Sequence, residues 1–152
     1  MNVERYEYAV NPTVDCIQYE FYSQGPNGMI KKIIRFDEFS DNSYNLSFGD
    51  STPKTETFSD LTTSNNEDTE MVLGTVANTI MEFTNKHPEA TIYAEGSSPA
   101  RTRLYRICIN KHRKIIRKNF YINGLLMNGV WEKFRKNGKY IAFAGTRKNL
   151  YI

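Results

Sequence analysis

A chain of 152 residues fits one domain, and its 39% hydrophobic and 13% aromatic content favours a packed core over a disordered chain. The net charge is +3, the first ten residues mix acidic and basic side chains, and no stretch approaches the ~18 apolar residues of a membrane span, so we expect neither a signal peptide nor a membrane protein. Cys16 and Cys108 have no metal-ligand spacing and indicate reduced, partly buried thiols, which predicts a cytoplasmic protein. We therefore expect a cytoplasmic protein with a single domain over residues 1–152.

The first third of the chain has the pattern of three strands. "CIQYEFYS" alternates with Tyr19 and Phe21 on one face, "QGPNG" predicts a turn, and "MIKKIIRF" predicts the returning strand of a hairpin. "YNLSFGD" predicts a third short strand with Leu46 and Phe48 in phase. Residues 50–65 are polar and rich in turn formers, which predicts the longest loop.

Two helices flank the next predicted strand. "NNEDTEMVLGTVANTIMEFTNKHP" predicts the first helix, because Asn and Asp offer N-caps and Val72, Val76 and Phe83 follow the 3.6-residue period. Pro88 ends that helix. "ATIYAEG" predicts a strand, and "PARTRLYRICINKHRKIIRK" predicts a second helix with Cys108 on its apolar stripe.

Three short strands end the chain, in "NFYING", "GVWEKFR" and "KYIAFAG", and their short turns imply antiparallel pairing. Four Asn-Gly pairs, at 27–28, 123–124, 128–129 and 137–138, suit the positive φ angles of hairpin turns. The order of elements predicts an α+β fold in which two α-helices pack on one face of an antiparallel sheet.

Several of these stretches resemble a known family. "YEFYSQGPNGMIKKIIRF", "YNLSFGD", "SNNEDTEMVLGTVANTIMEF" and "GSSPARTRLYR" are similar to a family of small bacterial proteins known as a domain of unknown function, over most of residues 10–115. The resemblance implies a bacterial, cytoplasmic, single-domain protein. It implies no activity, cofactor or catalytic residue.

Charge is distributed unevenly along the chain. Residues 1–97 hold 6 Lys/Arg and 16 Asp/Glu, a net charge of −10, whereas residues 98–152 hold 14 Lys/Arg and only Glu132, a net charge of +13. Such asymmetry indicates a polyanionic partner such as nucleic acid. The alternative is that the two halves neutralise each other within one domain.

The "GSSPARTRLYR" corner places cations at the wrong end of a helix. Ser98 is a natural N-cap and Pro99 a natural first residue, so three arginines lie near the positive end of the helix dipole, where each costs about 0.3–1 kcal/mol. A bound phosphate or an internal carboxylate, from Glu95, Asp50 or Asp60, would compensate them. The candidate anion site comprises Ser97, Ser98, Arg101, Thr102, Arg103 and Arg106.

A second group of cations predicts a basic surface. Interleaved aromatic residues would suit single-stranded nucleic acid, because bases stack on them. Alternatively these aromatic side chains belong to the core, which we favour for Trp131. The candidate basic surface comprises Arg113, Lys114, Arg117, Lys118, Lys133, Arg135 and Lys136, and the interleaved aromatics are Tyr105, Tyr121, Trp131 and Tyr140.

The sequence favours a binding protein over an enzyme, and we expect no cofactor, no metal and no catalytic residue. Its histidines are scattered, and the cations around His112 disfavour protonation. The best functional hypothesis is recognition of a phosphate-containing polyanion. The second is a protein-interaction module or homodimer. The third is a metal-dependent, phosphate-directed hydrolase, whose carboxylates would be Asp50, Asp60, Asp68 and Glu95, with Arg101 on the phosphate.

Overall fold

The computed structural model describes residues 4–12, 16–51, 66–96 and 98–148, together with the backbone of residues 58–59. Within these ranges the architecture is α+β, with a nine-stranded sheet and three helices. The strands are β1 (Ala9–Pro12), β2 (Cys16–Gly25), β3 (Gly28–Ser40), β4 (Ser43–Ser51), β5 (Phe58–Ser59), β6 (Thr91–Ala94), β7 (Phe120–Leu126), β8 (Trp131–Lys133) and β9 (Tyr140–Arg147). The helices are α1 (Thr69–Lys86), α2 (Pro99–Lys111) and α3 (Arg113–Asn119).

The predicted hairpin and third strand are confirmed. β2, β3 and β4 pair antiparallel, with Tyr19 opposite Ile34 and Ile34 opposite Phe48. These three side chains are buried, because alternation sends them to the same face of the sheet. β1 adds an exposed edge strand that the sequence pattern does not reveal. Most of the loop predicted at residues 50–65 lies outside the described residues.

The sheet is mixed, which corrects the prediction of an antiparallel one. Its order is β1-β2-β3-β4-β6-β9-β7-β8, and β5 pairs with the end of β4. β4 and β6 run parallel, from Ser43 opposite Thr91 to Leu46 opposite Ala94. The physical reason is the connection: α1 carries the chain back along the sheet, so β6 starts at the same end as β4.

Two further predictions need correction. The second helix is interrupted at His112, whose backbone angles are φ −101° and ψ 24°, so α2 and α3 are separate segments. The Asn-Gly pair at 123–124 lies inside β7 and is not a turn. In the pair at 128–129, Gly129 does have a positive φ of 88°, as predicted for the β7–β8 hairpin.

All three helices pack on one face of the sheet. The Phe83 ring of α1 stacks on Phe36 at 4.3 Å, and Tyr105 of α2 meets Phe48 edge-on at 5.6 Å. Ile116 of α3 lines the same apolar cavity as Phe120. Within the described ranges no helix lies on the opposite face of the sheet, the open face, although Ile33 and Ala142, which project from it, are buried.

Candidate functional site

A groove of about 710 Å³ lies between α3 and the nearby edge of the sheet. β8 pairs with β7 only at residues 123–125, so the described chain places no strand beside the first half of β7 on that side. The Phe134 amide donates to the Ile122 carbonyl at 2.9 Å and ties the segment after β8 back to β7. The apolar residues of the groove are Ile109, Ile116, Phe120, Ile122 and Phe134.

Five cations line this groove, and no carboxylate among the described residues does. They come from three separate parts of the chain: α3, the end of the β7–β8 hairpin and the segment after β9. Because the apolar walls keep the local dielectric low, cations gathered in a cleft focus a positive potential there. The cations are Arg113, Arg117, Lys133, Arg135 and Lys148.

The break at His112 decides which cations of α3 face the groove. The new helix begins at Arg113, so Arg113 and Arg117 are four residues apart and share one side of it. Lys114 and Lys118 share another side, are exposed and do not line the groove. The helix therefore presents two arginines to the groove and two lysines to solvent.

Two of the five cations are held by contacts within the protein. Arg135 donates through Nε to Glu132 at 2.8 Å, and Glu132 also accepts from the Tyr140 hydroxyl at 2.6 Å. Lys148 donates to the Arg117 carbonyl at 2.5 Å, and its Nζ lies 5.2 Å from the centre of the Tyr121 ring. No carboxylate of the described residues forms an ion pair with the other three groove cations.

Four of the seven residues predicted to form the basic surface therefore meet in one groove: Arg113, Arg117, Lys133 and Arg135. The other three, Lys114, Lys118 and Lys136, are exposed outside it. Lys148 is a groove residue that the sequence interpretation missed. Its one sequence signal is its position in the basic region of residues 98–152, three residues after the last predicted strand.

The predicted helix start at Ser98 is confirmed, and its polar groups are used internally. The Ser98 hydroxyl accepts from the Arg101 amide at 3.2 Å, and the Thr102 hydroxyl donates to the Ser98 carbonyl at 3.2 Å. A Cβ on Gly96 would lie 2.3 Å from the Thr102 nitrogen, so the preceding backbone presses against the first turn. Ser97 lies outside the described residues.

The three arginines of this corner do not share one environment. Arg101 is 4% exposed, and its guanidinium lies 4.4 Å from the centre of the Phe48 ring. Arg103 is exposed and Arg106 is half-buried. The corner thus places one arginine inside the protein and the other two towards its surface.

Two of the four carboxylates considered for a hydrolase site have separate structural partners. Asp50 forms a buried ion pair with Lys32. Asp68 accepts from the hydroxyls of Tyr6 and Ser23 instead of capping α1 with its side chain. Glu95 is exposed, and Asp60 lies outside the described residues. Among the residues that were described, no three His, Cys, Asp or Glu side chains lie close enough to hold a metal ion.

The aromatic residues near the basic surface divide into two sets. Tyr105 and Tyr140 are core residues, at 4% and 7% exposure. Tyr121 is 60% exposed. Trp131 is 43% exposed, which corrects the expectation that it belongs to the core. It lies on β8, a three-residue strand at the edge of the sheet.

Trp131 is the end of an aromatic row on the open face of the sheet. Its ring centre is 6.1 Å from that of Tyr93 on β6, which in turn is 5.4 Å from that of Phe39 on β3. Both contacts are edge-on. Tyr93 points to the open face because Ile92 and Ala94 on either side of it are buried in the core.

The described residues thus form an α+β sheet with helices on one face, a cationic groove at its edge and aromatic side chains on its open face. Residues 2–148 match the model of a family of unknown function, DUF6934, and the chain belongs to that family. The predicted resemblance to a domain of unknown function is thus confirmed. No curated protein and no solved structure matches the chain. None of the helices in the described ranges has the length and apolar character needed to cross a bilayer.

Proposed function

We propose that this protein binds a phosphate-bearing polyanion, with nucleic acid as the favoured class, in the groove between α3 and β7. The observation that carries the proposal is the convergence of five cations on one groove in which no described carboxylate takes part. Three arginines among them offer planar forks, which suit phosphate oxygens better than a point charge does.

An extended ligand suits this arrangement better than a small anion. The cations are contributed by three segments and line a groove of about 710 Å³, whereas one phosphate needs a single tight cradle. A chain of phosphates would contact several of them in turn and release the counterions condensed on it. The helix start at Ser98 stays outside the proposed site, because its capping groups bond to each other and Arg101 is buried.

The cysteines support placing this activity in the cytoplasm as part of the proposal. Cys16 and Cys108 are buried thiols that are not joined in a disulfide. Proteins of reducing compartments keep such thiols, whereas oxidising compartments favour disulfides.

The proposal is tested by fluorescence anisotropy with labelled oligonucleotides of about 20 nucleotides, long enough to cover a typical single-strand site. We expect binding that weakens steeply between about 50 and 200 mM salt. The double variant Arg113→Ala/Arg117→Ala removes two groove cations. It should weaken binding and make the salt slope shallower by about 1.4–1.8, since each phosphate contact contributes about 0.7–0.9.

The matched control is Lys114→Ala/Lys118→Ala, which removes two charges from the same helix outside the groove. This variant should keep most of the affinity and most of the salt slope. Equal losses in the two double variants would mean that net charge, and not the groove, attracts the oligonucleotide. Absence of binding to any DNA or RNA at about 50 mM salt would overturn the proposal.

A further inference from the structure

The aromatic row of Phe39, Tyr93 and Trp131 crosses the open sheet face and joins residues of the two halves of the chain. Phe39 is 61% exposed and Trp131 43% exposed, so two of the three rings present accessible surface. Large aromatic side chains left in water on a sheet face are an unfavourable arrangement for folding alone. A partner that covers them would gain the free energy of that burial.

The row is continuous with the cationic groove. Trp131 and Lys133 are two residues apart on β8, so their side chains leave the same face of the sheet, and Lys133 lines the groove. Opposite Lys133, Asn123 of β7 also lines the groove, and Tyr121 two residues before it is exposed beside Lys148. Cations and aromatic rings therefore alternate from the groove onto the open face.

We propose that the ligand is single-stranded nucleic acid, whose phosphates follow the groove while unpaired bases stack on Trp131 and Phe39. This inference rests on the proposed function and specifies its substrate class. A duplex keeps its bases stacked on one another, so it could use the cations but not the rings. A single strand uses both, and each base–aromatic stack strengthens binding with little dependence on sequence.

Charge favours nucleic acid over a second copy of this chain as the partner that covers the row. Two copies related by a twofold axis would bring the same patch together, including Lys133 from each subunit. Asp37, two residues before Phe39 and in the same cross-strand row as Tyr93, is paired with Arg35, and Glu20 farther along this face is paired with Lys31. A chain of phosphates neutralises the cations beside the row, whereas a symmetric dimer would not.

The chain has a single tryptophan, Trp131, and this makes the test direct. The unlabelled protein is titrated with single-stranded oligonucleotides and with duplexes of the same length, while tryptophan fluorescence is recorded. We expect single strands to quench the fluorescence and to bind about tenfold or more tightly than duplexes. Trp131→Ala and Phe39→Ala should each weaken single-strand binding about 5- to 100-fold in anisotropy and leave duplex binding unchanged.

Tyr22→Ala is the matched control, because Tyr22 is 48% exposed and projects from β2 onto the same open face of the sheet as the aromatic row. β2 is far along the sheet from the groove. Tyr22→Ala should change neither the affinity for single strands nor the affinity for duplexes. Circular dichroism and thermal melts establish that each variant is folded. If Trp131→Ala does not fold, the fluorescence titration of the unsubstituted protein and the Phe39→Ala variant still decide the question.

The outcomes separate this inference from the proposed function. Equal binding of single strands and duplexes without quenching would overturn the stacking inference and leave the groove proposal intact. Tight single-strand binding with quenching that Arg113→Ala/Arg117→Ala does not weaken would overturn the groove proposal instead. A dimer that Trp131→Ala converts to monomer, with unchanged oligonucleotide affinity, would reassign the row to a subunit contact and overturn the inference.

Discussion

Tyr140 donates a 2.6 Å hydrogen bond to Glu132, which is the one acidic side chain in residues 98–152. The same carboxylate oxygen accepts from Arg135, and the Arg135 amide donates to the Tyr140 hydroxyl at 3.1 Å. The hydrogen bond from Tyr140, followed by that from Arg135, lowers the pKa of Glu132. This triad fixes the chain between β8 and β9, so the single acid of the basic region holds the wall of the groove and does not line it.

Glu132→Gln should lower the melting temperature at pH 7 and strengthen oligonucleotide binding. The glutamine amide is a weaker hydrogen-bond acceptor than the carboxylate, so the hydrogen bond from Tyr140 should stabilise the fold less. The substitution also removes the negative charge that holds Arg135, which leaves Arg135 available to the ligand. Because the folded state lowers the pKa of Glu132, its stabilisation is present above the ordinary value of 4.5 and is lost as pH falls through the folded value. The difference in melting temperature should therefore shrink in acid. Glu89→Gln, at an exposed position, is the control; a similar change there would show a general charge effect.

Asp50→Asn should destabilise the protein by about 1.5–3 kcal/mol, because it removes the charge-assisted hydrogen bond that Asp50 accepts from Lys32 in a buried site. The side chains of Lys32 and Asp50 are 9% and 8% exposed and face each other across β3 and β4. Lys31→Met is the comparison, since it breaks the more exposed pair with Glu20 and should cost less than about 1 kcal/mol. Urea denaturation measures the free energy of unfolding of both variants. Equal costs would mean that burial of the Lys32–Asp50 pair has no energetic consequence.

Much of the fold could be predicted from local sequence signals. Alternation located β2 and β4, the 3.6-residue period located α1, and the Ser98-Pro99 pair located the start of α2. The parallel contact of β4 with β6 could not be predicted, because a pairing between residues as far apart in the chain as Ser43 and Thr91 leaves no local pattern. The helix break at His112 also lacks a signal, since no Pro or Gly occurs near it.

The candidate site was predictable only in composition. The sequence identified four of the five groove cations, but the break at His112 decides that Arg113 and Arg117 face the groove and that their lysine neighbours do not. The aromatic row could not be predicted, because Phe39 and Tyr93 lie in the acidic half of the chain and Trp131 in the basic half. The order of the strands in the sheet brings Tyr93 into contact with both of the other rings. Side-chain contacts between distant strands depend on sheet order, which the sequence pattern left open.

Gly124→Ala should destabilise the protein by about 1–3 kcal/mol through overpacking. A Cβ at this position would lie 2.4 Å from Cδ1 of the Tyr140 ring, which the hydrogen bond to Glu132 holds in place. This packing explains why the Asn-Gly pair at 123–124 occurs inside a strand. Gly145→Ala is the graded control, because its Cβ would meet the movable end of the Ile122 side chain at 3.0 Å and the Tyr121 carbonyl oxygen at an ordinary contact distance of 3.9 Å. A cost for Gly145→Ala as large as that for Gly124→Ala would contradict the role of the fixed ring.

His112 should titrate below its ordinary value of 6.5 in the folded protein, because burial, and then the charge of Lys111, lowers its pKa. The direction agrees with the effect expected from neighbouring cations, but burial at the α2–α3 break is the larger cause. The unfolded chain binds the proton more readily, so stability falls as pH decreases below about 6.5. NMR titration of the two histidines measures the pKa, and His112→Gln assigns the signal by its disappearance. The same variant should lose less stability than the unsubstituted protein between pH 7.5 and pH 5.5. A His112 signal that titrates at or above 6.5 would contradict the burial of this ring.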